Sequence, residues 1–387
     1  MAFDVIIVGG GIVGCTSAYY LAKAGQKVAL VERATIGSGT TGNSFAWVNA
    51  TAKVSDEKYH RLNAMGHAMH ARLAVEFGEQ TLGVTPSGAL IVVAQSDTAG
   101  YAATREQARL LKEYDYPSAW IGTKELRALE PHVAFPDDAE AIYSMSDPYL
   151  DAPRFARAMA DKVGKAGGTV LENCAAGDLQ ATDDGVVTGI MTDQGLMEAP
   201  NVLVTTGPDT PDTLSAITGY DGYAARFPMR RVPGLLVTTP STAPRTLVRH
   251  VLYMSIGPEF HAQTTPGGGL KIGSDDTDGL IAEDQSPENL RRAAGKLLKR
   301  AKDIIPGFAG EACLDECTLD VGIRAYPEDG MSLAGPMPGA SGLYVIATHS
   351  GISLAPAVGS LITEAIKTGK MPEQLEPFSL ERFQAFA

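Results

Sequence analysis

A chain of 387 residues with 44% hydrophobic and 20% charged residues has the make-up of a compact globular protein large enough for two or three structural units. Its formal net charge of -13 opposes binding to nucleic acid or to an anionic membrane surface, because neither phosphate-rich surface attracts it. Four cysteines, Cys15, Cys174, Cys313 and Cys317, show no metal-ligand spacing and read as reduced thiols. Met1 to Asp4 run straight into an apolar strand, so neither a cleaved leader nor a transmembrane segment is expected, and the chain reads as cytoplasmic.

In chain order, Phe3–Val8 is a β-branched run, Gly9–Gly14 a glycine turn and Ile12–Ala24 a stretch of helical period ended by Gly25. Lys27–Glu32 is a second apolar strand, which completes a βαβ unit. A loop of Gly, Ser and Thr follows over Ile36–Asn49. Helices are expected over Asp56–Phe77, Ala99–Tyr114 and Thr123–Leu129, the last with a capping Thr, and a strand over Gly88–Ala94. The α/β pattern restarts near Pro148, with a helix over Ala152–Ala166 and strands at Thr169–Leu171, Val186–Thr192 and Asn201–Thr206. Short β runs between Gly234 and Gly273 suggest an antiparallel sheet. Helix Pro287–Ile305, strand Leu343–Ala347 and helix Ile352–Thr368 close the chain.

Gly9, Gly11 and Gly14 fit G-x-G-x-x-G with a strand before and a helix after. Gly9 permits the tight turn, Gly11 lets a pyrophosphate approach the backbone, and Gly14 lets helix and strand pack closely. The pyrophosphate then meets the free N–H groups of the helix start at Ile12 and Val13. Glu32, at the end of the second strand, stands where an acid takes ribose hydroxyls and repels a 2′-phosphate, with Arg33 beside it. The loop Ile36-Gly-Ser-Gly-Thr-Thr-Gly-Asn-Ser-Phe-Ala-Trp-Val-Asn49 carries hydroxyl and amide groups at Thr40, Thr41, Asn43 and Ser44 that can wrap a phosphate chain. Its apolar end can approach an aromatic ring.

With these residues the chain resembles the FAD-dependent amine and amino-acid oxidoreductases grouped around D-amino-acid oxidase, glycine oxidase and monomeric sarcosine oxidase. The Gly9-to-Glu32 unit and the Gly37-Ser-Gly-Thr-Thr-Gly loop match the family's start. Gly322-Ile-Arg324-Ala-Tyr-Pro-Glu-Asp329-Gly330 and His349-Ser-Gly351-Ile-Ser-Leu-Ala-Pro356-Ala-Val-Gly359 match its end. The resemblance implies a discontinuous α/β FAD-binding Rossmann-like domain with an inserted α+β substrate domain containing a mixed or antiparallel sheet. The expected division is 1–85, 146–225 and 320–387 for the FAD-binding domain, and 86–145 and 226–319 for the substrate-binding domain.

The resemblance further implies that Ser350, Gly351 and Ile352, at the start of the last helix, face the pyrimidine side of the flavin, where the helix dipole favours negative charge. Arg324 would fork onto a substrate carboxylate, which its planar donors suit. In the family a Pro often follows this Arg; here it is Ala325. His261 and Tyr253, on neighbouring β runs, are the candidates for handling the substrate's proton or carboxylate. FAD is expected to be noncovalent, since the loop holds no His and Cys317 stands outside the attachment context. The expected reaction is oxidation of the C–N bond of a small amino acid or N-alkyl amino acid by hydride transfer to flavin N5, giving an imine that hydrolyses. The electron acceptor would be O2 or another carrier. Oxidation of a 2-hydroxy acid or polyol, or service as the flavin subunit of a larger amine dehydrogenase, are the alternatives. Self-association or a partner subunit stays open.

Overall fold

Val5–Val8 forms a strand because four consecutive β-branched residues bury both faces of the backbone, the pattern of an interior parallel strand. It sits at the middle of a six-stranded sheet in the computed structural model, which describes residues 2–183, 185–215 and 227–383. Across that sheet the order is Leu333–Pro336, Leu343–Ala347, Asn201–Val204, Val5–Val8, Val28–Val31 and Thr169–Leu171. All neighbours are parallel except the Leu333–Pro336 edge. The helices Ile12–Lys23, Ala152–Lys165 and Gly351–Thr368 pack together in one apolar core with the sheet.

A second, eight-stranded sheet runs Thr318–Pro327, Met229–Thr238, Leu270–Gly273, Phe260–Thr264, Val251–Met254, Ala89–Ala94, Ala139–Ser144 and Ala119–Ile121. It is antiparallel apart from the parallel contact of Val251–Met254 with Ala89–Ala94, which joins an early chain segment to a late one. The runs between Gly234 and Gly273 thus pair antiparallel with one another, as expected, within a sheet that is mixed as a whole. Helix Pro287–Ile304 lays Ala293, Ala294, Leu297, Leu298 and Ala301 into its core, the i, i+3, i+4 stripe that its sequence displays.

Two details differ from the reading of the sequence. The expected boundary between 319 and 320 falls inside the strand Thr318–Pro327, which pairs along its whole length with Met229–Thr238. The boundary at 225–226 and residues 384–387 lie outside the described residues. The helix Thr123–Leu129 is capped by Gly122, not by a Thr. Thr123 instead donates its hydroxyl to the carbonyl of Ala139 at 2.6 Å, tying the helix to the sheet. Among the described residues no helix is long and apolar enough to cross a membrane, and no cluster of His, Cys, Asp and Glu could hold a metal ion.

Candidate active site

A cleft of about 970 Å³ runs from the carboxyl ends of Val5–Val8 and Val28–Val31 to the face of the eight-stranded sheet. That size is at the upper end for a cofactor or ligand cavity, and it opens where an α/β sheet receives its ligands. At the first end the chain turns at Gly9, whose φ is +107°. A Cβ on Gly14 would stand 1.9 Å from the Gly9 carbonyl oxygen, so helix and turn close directly on each other there. Gly11 differs: a Cβ there would meet only the Thr41 hydroxyl, at 3.3 Å, and the position borders the cleft. Gly9, Gly11, Ile12, Val13, Glu32 and Arg33 line the cavity; Gly14 does not, and its part is the close packing.

Glu32 does more than face the cleft. Its carboxylate accepts the Gly10 N–H at 2.6 Å and the Ala34 N–H at 2.8 Å, locking the glycine turn to the second strand. Its remaining lone pairs are free to accept from a ligand. Arg33 lies at the rim in an ion pair with Asp209 at 2.6 Å.

The loop over Ile36–Asn49 bridges the two sheets. Thr40 donates to the Ile323 carbonyl at 2.7 Å, Gln263 to the Phe45 carbonyl at 2.7 Å, and Lys271 to the Ser44 carbonyl at 3.2 Å. Thr41 accepts the Ile12 N–H at 3.0 Å. Ser44 donates to the Thr41 carbonyl at 2.9 Å, and Asn43 donates to the Gly39 carbonyl at 3.2 Å. All four side chains expected to wrap a phosphate line the cleft, but they also hold the loop's own shape. What they leave to a bound anion is mainly backbone N–H groups.

At the far end the helix Gly351–Thr368 starts with Ser350, Gly351 and Ile352 on the cleft wall. Ser350 accepts the Tyr59 hydroxyl at 2.7 Å, and His349 stacks on Tyr326 with ring centroids 4.5 Å apart. Burial, reinforced by Lys53 and Arg324, pushes the His349 imidazole down to about 3, so it is neutral. Its Nδ1 is buried without a partner.

The eight-stranded sheet brings Arg324, His261 and Tyr253 to the same cleft. Tyr253 and His261 are direct cross-strand partners. His261 is also paired with Gly273 on its other side, where a Cβ would come within 2.3 Å of the His261 Nε2. Only glycine leaves room for that ring. Arg324 is already partly committed: its Nη2 donates to Asp278 at 2.7 Å and to the Pro233 carbonyl at 3.2 Å, while its Nε is buried without a partner.

Around these stand groups that the sequence did not single out. Glu259 accepts the Tyr253 hydroxyl and lies 3.4 Å from His261 Nδ1. Asp275 is pushed up to about 6, by burial and by the neighbouring Glu259 carboxylate. Burial also raises Asp278, against the pull of Arg324. Lys53 lines the chamber as well. No local pattern marks these four: Asp275 and Asp278 share the helix Asp275–Ile281, while Glu259 and Lys53 come from two separate loops. Thr205, Thr206 and Gly207 at the nucleotide end were also missed, although small residues after an apolar parallel strand are a readable signal.

The FAD dependent oxidoreductase family, DAO, matches residues 4–365. A glycine oxidase of Geobacillus kaustophilus is 28% identical over 399 aligned residues, covering 98% of this chain and 97% of that protein. An N-methyl-L-tryptophan oxidase of Yersinia pestis is 24% identical, covering 99% of this chain and all of that protein. Among solved structures, L-proline dehydrogenase from P. horikoshii superposes with a TM-score of 0.84 at 21% identity, covering 99% of this chain and 98% of that one.

Proposed function

The chain belongs to the DAO family of FAD-dependent oxidoreductases, and from that membership and the geometry of the cleft we infer that it oxidises the C–N bond of a small amino acid or N-alkyl amino acid. The observation that carries the reading is the position of Arg324. Its guanidinium lines the same cavity as the glycine turn, and a buried Nε has no protein acceptor. A buried donor left unpaired is costly, and a carboxylate is the acceptor that suits it.

The cleft fits FAD. Gly11 and the helix start at Ile12 would receive the pyrophosphate, Glu32 the ribose, and the helix start at Gly351 the pyrimidine edge of the flavin. Cys317, the cysteine that precedes Arg324 in the chain, does not line the cleft, and the cofactor is held noncovalently. FAD, when bound, supplies a two-electron acceptor for the hydride that leaves the substrate α-carbon.

The chain's own residues do the rest. Arg324 orients the substrate by its carboxylate, and Phe45, Trp47 and Tyr326 exclude water. His261, next to Glu259, is placed to hold the proton that the substrate ammonium gives up, so that the amine is neutral when its C–H bond breaks. Tyr253 fixes Glu259 by donating to it. The resulting imine hydrolyses in water. The unit built on the six-stranded sheet holds the cofactor and the eight-stranded one shapes the substrate chamber.

The test is anaerobic mixing of the FAD-loaded enzyme with amino acids, N-methyl amino acids and 2-hydroxy acids while following the visible flavin absorbance. Bleaching by amines that carry a carboxylate, with oxo acid and amine or ammonia recovered, is expected. Bleaching by 2-hydroxy acids alone would overturn the reading. Acid precipitation of the same sample should leave FAD in the supernatant.

A further inference from the structure

Lys53 is a cation held ready in the chamber with nothing to hold. It borders the cleft, and among the described residues its ammonium has no hydrogen bond or ion pair. Burial and the Arg324 guanidinium lower its proton affinity, with Glu259 as the opposing influence. Glu259 does not complete an ion pair with it, being engaged by Tyr253 and His261.

The segment that carries Lys53 is tied down on every side. Asn49 accepts the Ala52 N–H at 2.8 Å, and its own N–H donates to Ser353 at 2.8 Å. Gln107 donates to the Thr51 carbonyl at 2.8 Å, and the Thr51 hydroxyl donates to Asp147 at 2.9 Å. Asp147 is fully buried and also accepts from Trp47, Tyr116 and Ser144. A loop fixed by so many buried bonds cannot swing Lys53 out to water at little cost, so the side chain is preorganised.

Two cations therefore reach one chamber, and each lacks an acceptor: Lys53 entirely, Arg324 at Nε. We propose that Lys53 is the second anchor for the substrate carboxylate, closing on it together with the free edge of Arg324. With Nη2 of Arg324 committed to Asp278 and Pro233, the guanidinium alone cannot present both donors of the Nε–Nη2 fork. Lys53 supplies the missing point. The charges then balance: Asp278 answers Arg324, and the carboxylate answers Lys53. This inference rests on the reading of the substrate as a carboxylate-bearing amine.

The experiment uses FAD-loaded enzyme and two unreactive probes, propionate and its neutral counterpart propionamide, titrated while following the flavin spectrum. In Lys53→Met the Kd for propionate should rise about ten- to a hundredfold, the range for one charge-assisted hydrogen bond. Propionamide binding should be unchanged, and Lys53→Arg should restore most of the loss. If Met fails to load FAD, Lys53→Gln is titrated in its place, with the Kd taken on the loaded fraction. Native-like propionate binding in the loaded variant overturns the role of Lys53. So does an altered flavin reduction potential with propionate affinity intact, which would place the cation on the cofactor. If native enzyme binds propionate no better than propionamide, and no amino acid bleaches it, the carboxylate-bearing substrate itself is wrong.

Discussion

The His70 imidazole donates from Nε2 to the Ile352 carbonyl at 2.8 Å, and that carbonyl is the one that Pro356, inside the helix Gly351–Thr368, cannot bond. A proline lacks the N–H that would reach back four residues. His70, wholly buried on the helix Glu57–Phe77, supplies the donor from the side. It thereby steadies the first turn of the helix whose start lines the cleft.

Replacing His70 by Leu should lower stability by about 1–3 kcal/mol, through the orphaned carbonyl, while His70→Gln should keep part of the bond. Burial depresses His70 to about 4. The unfolded chain therefore takes up this proton at higher pH than the folded one. The contribution is present above about pH 6.5 and is lost as pH falls towards 4, amounting to roughly 3 kcal/mol at most. Urea unfolding between pH 4 and pH 8 checks both statements: the acid decline should be shallower in His70→Leu. An identical slope in the two proteins would contradict the assignment.

Gly11 and Gly14 should separate cofactor binding from folding. Gly11→Val places a side chain at the cleft with ordinary backbone dihedrals, φ −70°, so the fold should survive while FAD content collapses. Gly14→Ala would drive a methyl group into the Gly9 carbonyl and should lower the thermal midpoint of the cofactor-free protein as well. Glu32→Ala should weaken FAD by about 1–3 kcal/mol and loosen the turn it holds. FAD content by absorbance and melting of the stripped protein give the two readouts.

Arg324→Lys should cost tens to thousands in kcat/KM on a carboxylate substrate, about 2–5 kcal/mol, because an ammonium cannot reproduce the planar donors. FAD content should stay normal. Asp278→Asn should show a smaller loss and mainly a raised KM, since it frees Arg324 from its partner but misaligns it. Full activity of Arg324→Lys on an amino acid would make this arginine structural.

Gly273→Ala tests the placing of His261. The added methyl must displace the imidazole from its present position. Turnover should fall at least as far as in His261→Ala, and the double variant should lose little more, since both act through one ring. FAD affinity should not move. Additive losses would show that Gly273 acts on something other than His261.

The nucleotide end was legible because its logic is local. Val5–Val8, the glycine turn, the first helix and Glu32 are consecutive, and each signal names its neighbour. The substrate chamber is not local. Asp278 reaches Arg324 from the helix Asp275–Ile281, to which the sequence reading assigns no element, and Gly273 matters to His261 only through strand register. Thr318–Pro327 is likewise assigned no element, and only its part from Gly322 on enters the reading, as a match to the family's end. Its glycine and charged residues mask a ten-residue strand that exists because Met229–Thr238 pairs with it. Ala139–Ser144 has only Ile142 and Tyr143 as strong β formers and owes the rest of its strand to its partners on both sides.

The strand Leu343–Ala347 lies against Asn201–Val204 in the six-stranded sheet, and the helix after it lies on the first helix of the chain. During synthesis, then, Asn201–Val204 waits with one edge bare until Leu343–Ala347 has been made. That edge is apolar and has unpaired backbone groups, the combination that recruits other chains. The cleft itself is complete only after Gly351, Ile352 and Ser353 have been made as well. Chaperone demand and cofactor supply thus bear on the newborn protein at the same moment, and a truncation ahead of Leu343 would leave that apolar edge uncovered.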